Sequence, residues 1–538
     1  MSTHIIKLQQ ILSPNELNLI EQFSNNFIQS QDFNLLAEFF SSKFNIDTSI
    51  DQDIVSSFAI DSSNMTGFAN GVCRPKSAIE CSVIFSTCYQ CKIPITITGG
   101  QSNLTGSATP KGGIIVSTVK LTKPDISVDL ENQTVSTATG IILENMRIAV
   151  KQQSLNKLIY PVDPTSREDA SVGGTISTNA SGFIPGDNGA TRKWVEEIEF
   201  ILPNGKLIFA KRNQYISENG EFLLESENET IRFTVPTYSR PKIKNASGPY
   251  SSPNGVLDFV DLIIGSEGIF GLVTKCVFKL AENPVHYLDL FLTLQSEKVA
   301  LQLLSALDKQ SDFSWDSVLA FEYFGYNCIK FMDHRDNFFS NENAVGIYVS
   351  IPIYKDDFEN VAKEWIDRFH SIIPHFKEEN VIVLQDSQSR RKFFEARHSM
   401  PANALEIIRK NEVNGIVTDT IVPPGNFNKF LKYTHKLLRD NYIEYLLFGH
   451  LGDCHLHFHI LPRQDQQTVA EKCYQLIIEK SSELGGVYSA EHGTGKRKRT
   501  DFLKCYGQDA VNQVIKSKAC IDPYYILNRG NVIEPPPG

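Results

Sequence analysis

Histidine and carboxylate side chains concentrate in two short segments near the end of the chain. Residues 450–459 read HLGDCHLHFH, and residues 491–492 add a Glu-His pair. Because His455, His457 and His459 alternate with apolar residues, their side chains would share one face of a strand. Neutral imidazoles and carboxylates are common ligands of divalent metals. The pattern predicts a metal-assisted active site; the alternative is a half-buried strand with a histidine face.

The elements that would position these side chains begin with a turn. Gly452 and Asp453 stand between His450 and the alternating histidines, and both residue types favour turns. We therefore expect the chain to fold back so that His450 approaches the same face. Further upstream, Ser13 with Glu16 and residues 77–80 (SAIE) form capping boxes, which predict two helix starts.

Length and composition set broad limits on the fold and its partners. A chain of 538 residues exceeds one ordinary core, so two or three domains are expected. The net charge is −10 and basic residues form no stripe, which argues against nucleic-acid binding. The one basic cluster, KRKR at residues 496–499, is interpreted as a solvated helix face, with contact to an anionic group as the alternative.

The sequence predicts a cytoplasmic protein, with peripheral membrane association left open. It contains no run of about 18 apolar residues, so no membrane span is expected. Its N-terminus lacks the basic-then-apolar pattern of a signal peptide. The pair Cys88 and Cys91 has no second pair at metal-site spacing, so the ten cysteines are interpreted as reduced core thiols.

Glycine-rich loops joined to β-branched runs occupy much of the first half. Residues 93–106 (IPITITGGQSNLTG) predict a strand and a Gly-Gly turn, and residues 160–182 contain a second Gly-Gly pair. Residues 261–279 predict a strand–glycine turn–strand hairpin. Such loops expose backbone N–H groups, which suits a pyrophosphate, although ordinary turns are the alternative. A Rossmann GxGxxG is absent, and residues 493–496 lack the first glycine of a P-loop.

Five blocks, in this order, resemble the flavoprotein family of D-lactate and D-2-hydroxyacid dehydrogenases, which includes the glycolate oxidase catalytic subunit. They are TGGQSNLTG, DPTSREDASVGGTISTNASG, GSEGIFGLV, GHLGDCHLH and SAEHGTGKRK. The resemblance implies an α+β fold with a two-part FAD-binding domain of vanillyl-alcohol-oxidase type. The implied division is an N-terminal helical extension (1–50), the FAD domain (51–282), an antiparallel-sheet substrate cap (283–440) and a C-terminal metal-site and helical region (441–538).

The same resemblance implies which residues hold FAD. The pyrophosphate loop lacks the His or Cys that tethers flavin in some relatives, so FAD is expected to bind non-covalently. The implied FAD-binding residues are Gly99, Gly100, Gln101, Ser102, Asn103, Thr105, Gly106, Asp163, Pro164, Thr165, Ser166, Gly173, Gly174, Ser177, Asn179, Glu267 and Gly268.

The resemblance also implies a metal site and two catalytic residues. His450, His457 and Glu491 would bind a divalent metal, zinc or manganese. His492 would be the general base, with a pKa suited to neutral pH. Arg397 would bind the substrate carboxylate; without the resemblance, it would be interpreted as a surface helix arginine. Lys244 is a weaker candidate for a flavin or substrate contact.

Several positions depart from the family pattern. Cys454 and His455 replace a Gly and an Asn, and His459 stands where Asn is frequent. The branch that acts on D-2-hydroxyglutarate carries a lysine at the position of Val417 and a hydroxyl residue at that of Pro401. Because an unpaired buried carboxylate is costly, we expect a D-2-hydroxy monocarboxylic acid such as D-lactate as substrate.

Two other functions remain open. One is a flavin-dependent transferase of the alkylglycerone-phosphate synthase kind, and the other is a non-catalytic flavin- or metal-binding relative. For the dehydrogenase, the electron acceptor would be a quinone, an electron-transfer protein or oxygen. A monomer or a homodimer is expected.

Overall fold

The computed structural model describes residues 3–227, 229–339, 344–355 and 357–534, and its architecture mixes helices with mainly antiparallel sheets. The helices are α1 (Pro14–Ser30), α2 (Phe33–Phe44), α3 (Gln52–Ser57), α4 (Ala78–Cys91), α5 (Leu143–Gln153), α6 (Val172–Thr178), α7 (Thr191–Trp194), α8 (Phe259–Ile263), α9 (Glu297–Leu307), α10 (Phe358–Ile372), α11 (Ser387–Lys410), α12 (Pro424–Asp440), α13 (Gln467–Glu483) and α14 (Arg499–Ile521).

The strands belong to five sheets. They are β1 (Ile5–Lys7), β2 (Asp47–Ser49), β3 (Gly71–Arg74), β4 (Ile95–Thr98), β5 (Ile114–Ser117), β6 (Ser127–Asp129), β7 (Thr134–Ala138), β8 (Leu158–Ile159), β9 (Val195–Ile201), β10 (Leu207–Lys211), β11 (Glu221–Glu225), β12 (Thr230–Thr234), β13 (Leu272–Lys279), β14 (Ala281–Glu282), β15 (His286–Leu294), β16 (Ala320–Phe324), β17 (Val345–Ile353), β18 (Val381–Val383), β19 (Ile416–Val417), β20 (Glu444–His450) and β21 (His455–Leu461).

Both predicted capping boxes mark helix starts. Ser13 caps α1 by accepting the N–H of Glu16, and the Glu16 side chain reciprocates. Ser77 caps α4 by accepting the N–H of Glu80. Helices α1, α2 and α4 then bury their apolar faces together over the four-stranded sheet, whose order is β2-β3-β5-β4.

The C-terminal segment extends this four-stranded sheet beside β4. Ile95 donates its N–H to the Ile526 carbonyl at 2.7 Å, and Asn528 donates its N–H back to the Ile95 carbonyl at 2.7 Å. The Asn528 side chain also accepts the Ile97 N–H at 2.8 Å and donates to the Glu267 carbonyl at 2.8 Å. The end of the chain therefore fixes the strand that leads into the first glycine-rich loop.

The predicted hairpin over residues 261–279 is wrong in its first half. Residues Phe259–Ile263 form helix α8, capped by Asp258, which accepts the Val260 N–H at 2.8 Å. Strand β13 follows the turn and pairs with β7 and β9 in a second sheet of order β10-β9-β13-β7-β6. A short, fully buried apolar run fits a helix or a strand equally well, and the Asp258 cap decides for the helix.

A seven-stranded antiparallel sheet dominates the second half, in the order β18-β15-β17-β16-β20-β21-β19. Helices α9, α10, α12 and α13 bury their apolar residues against one face, and α11 covers the other. Because both faces are covered, strands such as β15 and β17 are buried along most of their length. Strands β20 and β21, which carry the histidines, lie within this sheet.

The turn between β20 and β21 brings His450 back to the other histidines, as predicted. His450 pairs with His455 across the two strands. Cys454 closes the turn in the left-handed region, with φ of 58°, a conformation that glycine adopts far more readily than other residues. Its thiol is buried in the core beneath the sheet.

Within the described ranges, no helix combines the length and the apolar character that a bilayer crossing requires. All ten cysteines are free thiols.

We predict that the C-terminal anchor contributes measurably to stability. Asn528→Ala would leave the Ile97 N–H without its acceptor, so the free energy of unfolding should fall by about 1–3 kcal/mol. Guanidinium unfolding followed by circular dichroism measures this change. Asn512, exposed on α14, is the matched control: Asn512→Ala should change stability by less than about 0.5 kcal/mol. Equal unfolding curves for the two variants would contradict the anchor.

Candidate active site

A cavity of about 430 Å³ lies among the glycine-rich loops of the first half, and His450, Glu491 and His492 also line it. Its size is typical of small-molecule and cofactor sites. The predicted FAD-binding residues that line it are Gly99, Gly100, Gln101, Ser102, Asn103, Pro164, Thr165, Ser166, Gly173, Gly174, Ser177, Glu267 and Gly268.

Four other predicted FAD-binding residues do not line the cavity. Thr105 and Gly106 use their carbonyl oxygens to bind Lys496, through its backbone N–H and its Nζ respectively. Asp163 and Asn179 accept backbone N–H groups of neighbouring segments with their side chains. These four residues support the segments that line the cavity without lining it themselves.

The glycines of the cavity allow close approach of two loops. A Cβ on Gly100 would lie 1.8 Å from the Asp169 carbonyl oxygen, and one on Gly99 would lie 2.2 Å from Ser171 Oγ. The loop after β4 therefore packs directly on the loop before α6. Its Gly-Gly backbone is free of side chains, which suits the pyrophosphate of a dinucleotide.

Glu267 joins this cavity to the Glu491-His492 segment. Its carboxylate accepts the N–H groups of Thr494 at 2.7 Å and Gly495 at 2.8 Å, and the hydroxyl of Ser107 also donates to it. Burial raises the pKa of Glu267, because its effect is larger than the opposing effect of these hydrogen bonds. The superficial P-loop sequence is thus a turn whose backbone binds a protein carboxylate.

The basic run at residues 496–499 is not a solvated helix face. Lys496 is buried and its Nζ donates to Asn531 Oδ1 at 2.6 Å. Lys498 is buried and its Nζ lies 3.0 Å from Asp419 Oδ2. The run leads into α14, which begins at Arg499, and its two lysines reach buried acceptors.

The histidines converge on one carboxylate oxygen, Glu491 Oε1. It lies 3.1 Å from His450 Nε2, 3.6 Å from His455 Nδ1 and 2.5 Å from Lys244 Nζ. One donor atom from each of His450, His455, His457 and Glu491 lies within 4.8 Å of all the others. The predicted ligands are therefore together, and His455 joins them.

Asp419 is a site residue that the sequence analysis missed. It is fully buried, and its Oδ1 lies 3.1 Å from His455 Nε2. It also accepts the N–H groups of Glu491 at 3.2 Å and His492 at 3.0 Å. Burial opposes its ionisation, but the Lys498 ammonium and the hydrogen bond with His455 hold the pKa of Asp419 well below the usual range. A lone aspartate between short apolar runs was the only available signal.

Glu322 is a second missed residue, and it connects Arg397 to the histidines. Its two oxygens lie 2.5 Å from His450 Nδ1 and 2.9 Å from Arg397 Nη2. Burial opposes ionisation, yet these cations lower the pKa of Glu322 to about 2. Arg397 is 5% exposed, so it is no surface arginine, and its guanidinium lies 4.5 Å over the Phe183 ring. Its Nε is buried without a hydrogen-bond partner.

His492 has the surroundings of a neutral imidazole. Its Nδ1 lies 3.5 Å from Asp419 Oδ2, and its ring is parallel to that of His457, with centres 5.5 Å apart. Burial lowers the pKa of His492. The Asp419 carboxylate favours the proton on Nδ1, which leaves Nε2 as the basic nitrogen.

Ion pairs join these side chains into one network, hereafter the Glu491 cluster. It contains more carboxylates than permanent cations. The missing positive charge can come from a proton on His450, or from a bound cation. Burial lowers the pKa of His450, but Glu322 and Glu491 outweigh it and raise the value to about 10. The carboxylates are Glu322, Asp419, Asp453 and Glu491, and the cations are Lys244, Arg397 and Lys498.

Two family models match the chain, together covering about two thirds of it. The FAD binding domain matches residues 69–211, and the C-terminal domain of FAD-linked oxidases matches residues 318–532. The second match includes the histidine segment, Asp419 and Glu491.

Curated relatives match along most of their length. Glycolate oxidase subunit GlcD of Bacillus subtilis is 25% identical over 86% of this chain and 88% of its own. A D-lactate dehydrogenase of Anaerostipes hadrus is 24% identical over 86% of this chain and 90% of its own length. A D-2-hydroxyglutarate dehydrogenase of Xanthomonas citri is 25% identical over 86% of this chain and 89% of its own length.

Solved structures agree on the fold. A 4-ethylphenol oxidase from Gulosibacter chungangensis aligns with a TM-score of 0.62 at 15% identity, over 98% of this chain and 99% of its own. An alkyldihydroxyacetonephosphate synthase aligns with a TM-score of 0.61 at 15% identity, over 89% of this chain and 81% of its own. The predicted α+β fold of vanillyl-alcohol-oxidase type is confirmed, and the chain belongs to the FAD-linked oxidases, in the family that includes D-lactate and D-2-hydroxyacid dehydrogenases.

Proposed function

We propose that the protein uses non-covalent FAD to oxidise a D-2-hydroxy monocarboxylic acid, D-lactate or a slightly longer apolar homologue, to the 2-oxo acid. The observation that carries this proposal is the single cavity lined both by the predicted FAD loops and by His450, Glu491 and His492. Acid–base and charged groups therefore meet the space in which a flavin would bind.

FAD would lie along residues 99–103, 164–166 and 173–177, where glycines keep the space free. When bound, FAD supplies the acceptor for the hydride that leaves C2 of the substrate. The chain's own contribution is to bind and orient the cofactor by backbone N–H groups and small polar side chains. We assign residues 51–282 to this role and residues 283–440 to the substrate cap.

A divalent metal, zinc or manganese, would be held by His450, His457 and Glu491. The donor set and the excess negative charge of the Glu491 cluster both fit such an ion. When bound, the metal supplies a Lewis acid that orients the substrate hydroxyl and lowers its pKa. Glu322 supports the site by accepting from His450 Nδ1, which fixes the orientation of that ring.

His492 would take the hydroxyl proton at Nε2. Its Nδ1 lies near the ionised Asp419, which stabilises the imidazolium that forms. The lowered pKa keeps the ring neutral and able to accept a proton near pH 7. Arg397 would hold the substrate carboxylate with its free Nε while Glu322 keeps its Nη2 in place.

Val417 and Pro401 favour a monocarboxylate. Neither side chain can pair with a second carboxylate. In the Glu491 cluster, Lys244 and Lys498 already pair with carboxylates, and Arg397 is assigned to the first carboxylate of the substrate. The same shortage of free cations weighs against a phosphate-bearing substrate, as a transferase of the alkylglycerone-phosphate synthase kind would require. Reduced FAD would pass its electrons to a quinone, an electron-transfer protein or oxygen.

We predict that Gly100→Ala weakens FAD binding. The added Cβ would overlap the Asp169 carbonyl, so the two loops would have to shift. This shift should cost about 1–3 kcal/mol of binding free energy, and each 1.4 kcal/mol, roughly, corresponds to a tenfold weaker affinity for FAD. FAD affinity is measured by flavin fluorescence on titration of FAD-free protein. Gly425→Ala meets no atom within 4 Å and should bind FAD normally. Equal affinities would remove this loop from the cofactor site.

We predict that D-lactate bleaches the flavin band of FAD-loaded protein under anaerobic conditions. Bleaching should stop after chelation and return when zinc or manganese is added, because the hydroxyl proton is then easier to remove. D-2-hydroxyglutarate should reduce the flavin more slowly, because its second carboxylate lacks a cation. Faster reduction by D-2-hydroxyglutarate would refute the monocarboxylate assignment, and no bleaching by any D-2-hydroxy acid would refute the activity.

We predict that His492→Asn slows flavin reduction by D-lactate about 10²–10⁴-fold, the usual contribution of a general base. FAD and metal content should stay normal, since His492 is not among the proposed ligands. Anaerobic stopped-flow spectroscopy measures the rate. His370→Asn, on the surface of α10, controls for the loss of an imidazole. A His492→Asn rate within twofold of wild type would exclude the proposed base.

A further inference from the structure

We infer that His455 is a fourth protein ligand of the metal, so that three imidazoles and one carboxylate hold it. This inference rests on the metal site of the proposed function and adds a donor to it. His455 replaces the Asn of the family pattern, so relatives with that pattern lack this donor.

An unpaired ring nitrogen lies inside the Glu491 cluster. His455 is fully buried, and its Nδ1 has no hydrogen-bond partner. The nearest carboxylate oxygen, Glu491 Oε1, is 3.6 Å away, which is beyond hydrogen-bond distance. A buried polar nitrogen without a partner costs free energy. A metal ion shared with Glu491 would satisfy it.

The contact with Asp419 selects the tautomer of the His455 ring. His455 Nε2 lies 3.1 Å from Asp419 Oδ1, and Asp419 is ionised because Lys498 pairs with it at 3.0 Å. Nε2 therefore carries the proton and donates it to the carboxylate. In the neutral ring the lone pair is then on Nδ1, the nitrogen that lies among the other donors. Metal-binding histidines commonly donate their second N–H to a carboxylate in this way.

The His455 ring also lies in the right position for a ligand. His455 lies beside both histidines of the proposed site, with its ring centre 4.5 Å from that of His457 and 5.6 Å from that of His450. Its Nδ1 is within 4.8 Å of the donor atoms of His450, His457 and Glu491. Asp419, which also lies near His457, is already occupied by Lys498, Ser489 and backbone N–H groups.

His459 offers a matched control on the same strand. Its ring stacks on Phe448 with centres 5.1 Å apart, and it does not belong to the four converging donors. His455→Asn and His459→Asn therefore each remove one imidazole from β21, but only the first removes a proposed ligand.

Zinc K-edge X-ray absorption of the FAD-loaded protein with one equivalent of zinc counts the imidazoles directly. We expect three in the wild type and in His459→Asn, and two in His455→Asn. In chelator competition, His455→Asn should bind zinc at least about tenfold more weakly, since losing only a ligand's supporting partner already costs 10–100-fold.

The outcomes separate this inference from the proposed function. Two imidazoles in the wild type, with equal zinc affinity for His455→Asn, would overturn the fourth ligand and leave the three-ligand site. Failure of the wild type to bind zinc or manganese would overturn both. Three imidazoles in a protein whose flavin D-lactate does not reduce would support His455 as a ligand and reject the substrate. Because the wild-type count needs no variant, misfolding of His455→Asn cannot hide the answer.

Discussion

The candidate site depends on the ion pairs between the carboxylate oxygen Glu491 Oε1 and the positively charged groups around it. Lys244 Nζ lies 2.5 Å from this oxygen and His450 Nε2 lies 3.1 Å from it, both in a largely buried setting. Buried charges persist only when they are paired. The side chains around Glu491 therefore have to be a balanced set, and the excess of one carboxylate requires either a proton on His450 or a bound cation.

This balance joins parts of the chain that are distant in sequence. Lys244 precedes α8, Glu322 belongs to β16 and Arg397 to α11, while the β20–β21 hairpin supplies the histidines. Each part is fixed by its own apolar packing: α11 covers one face of the seven-stranded sheet, and α14 packs in the core of the first half. Glu267 then holds the 493–495 turn against the cofactor cavity through two backbone N–H groups. The active groups thus stand at the junction of the two halves.

Local patterns in the sequence predicted much of this arrangement. The alternation of His455 and His457 predicted a strand, Gly452 predicted the turn, and capping boxes located α1 and α4. The family motifs placed the glycine loops that line the cavity. Asp419 and Glu322 could not be predicted because their roles come from partners far away in sequence.

The two wrong predictions have different causes: the first lies in a neighbouring residue and the second in a partner distant in sequence. Asp258 caps a helix where the apolar run alone suggested a strand, and Lys498 is drawn into the interior by Asp419.

The metal content of the purified, FAD-loaded protein tests the central claim most directly, with inductively coupled plasma mass spectrometry as the measurement. The account predicts one divalent metal ion per FAD in the wild type, and loss of that ion in Glu491→Gln. A wild-type protein with full FAD, no divalent metal after incubation with zinc or manganese, and undiminished oxidation of D-lactate would contradict it. The excess negative charge would then be neutralised by a proton on His450.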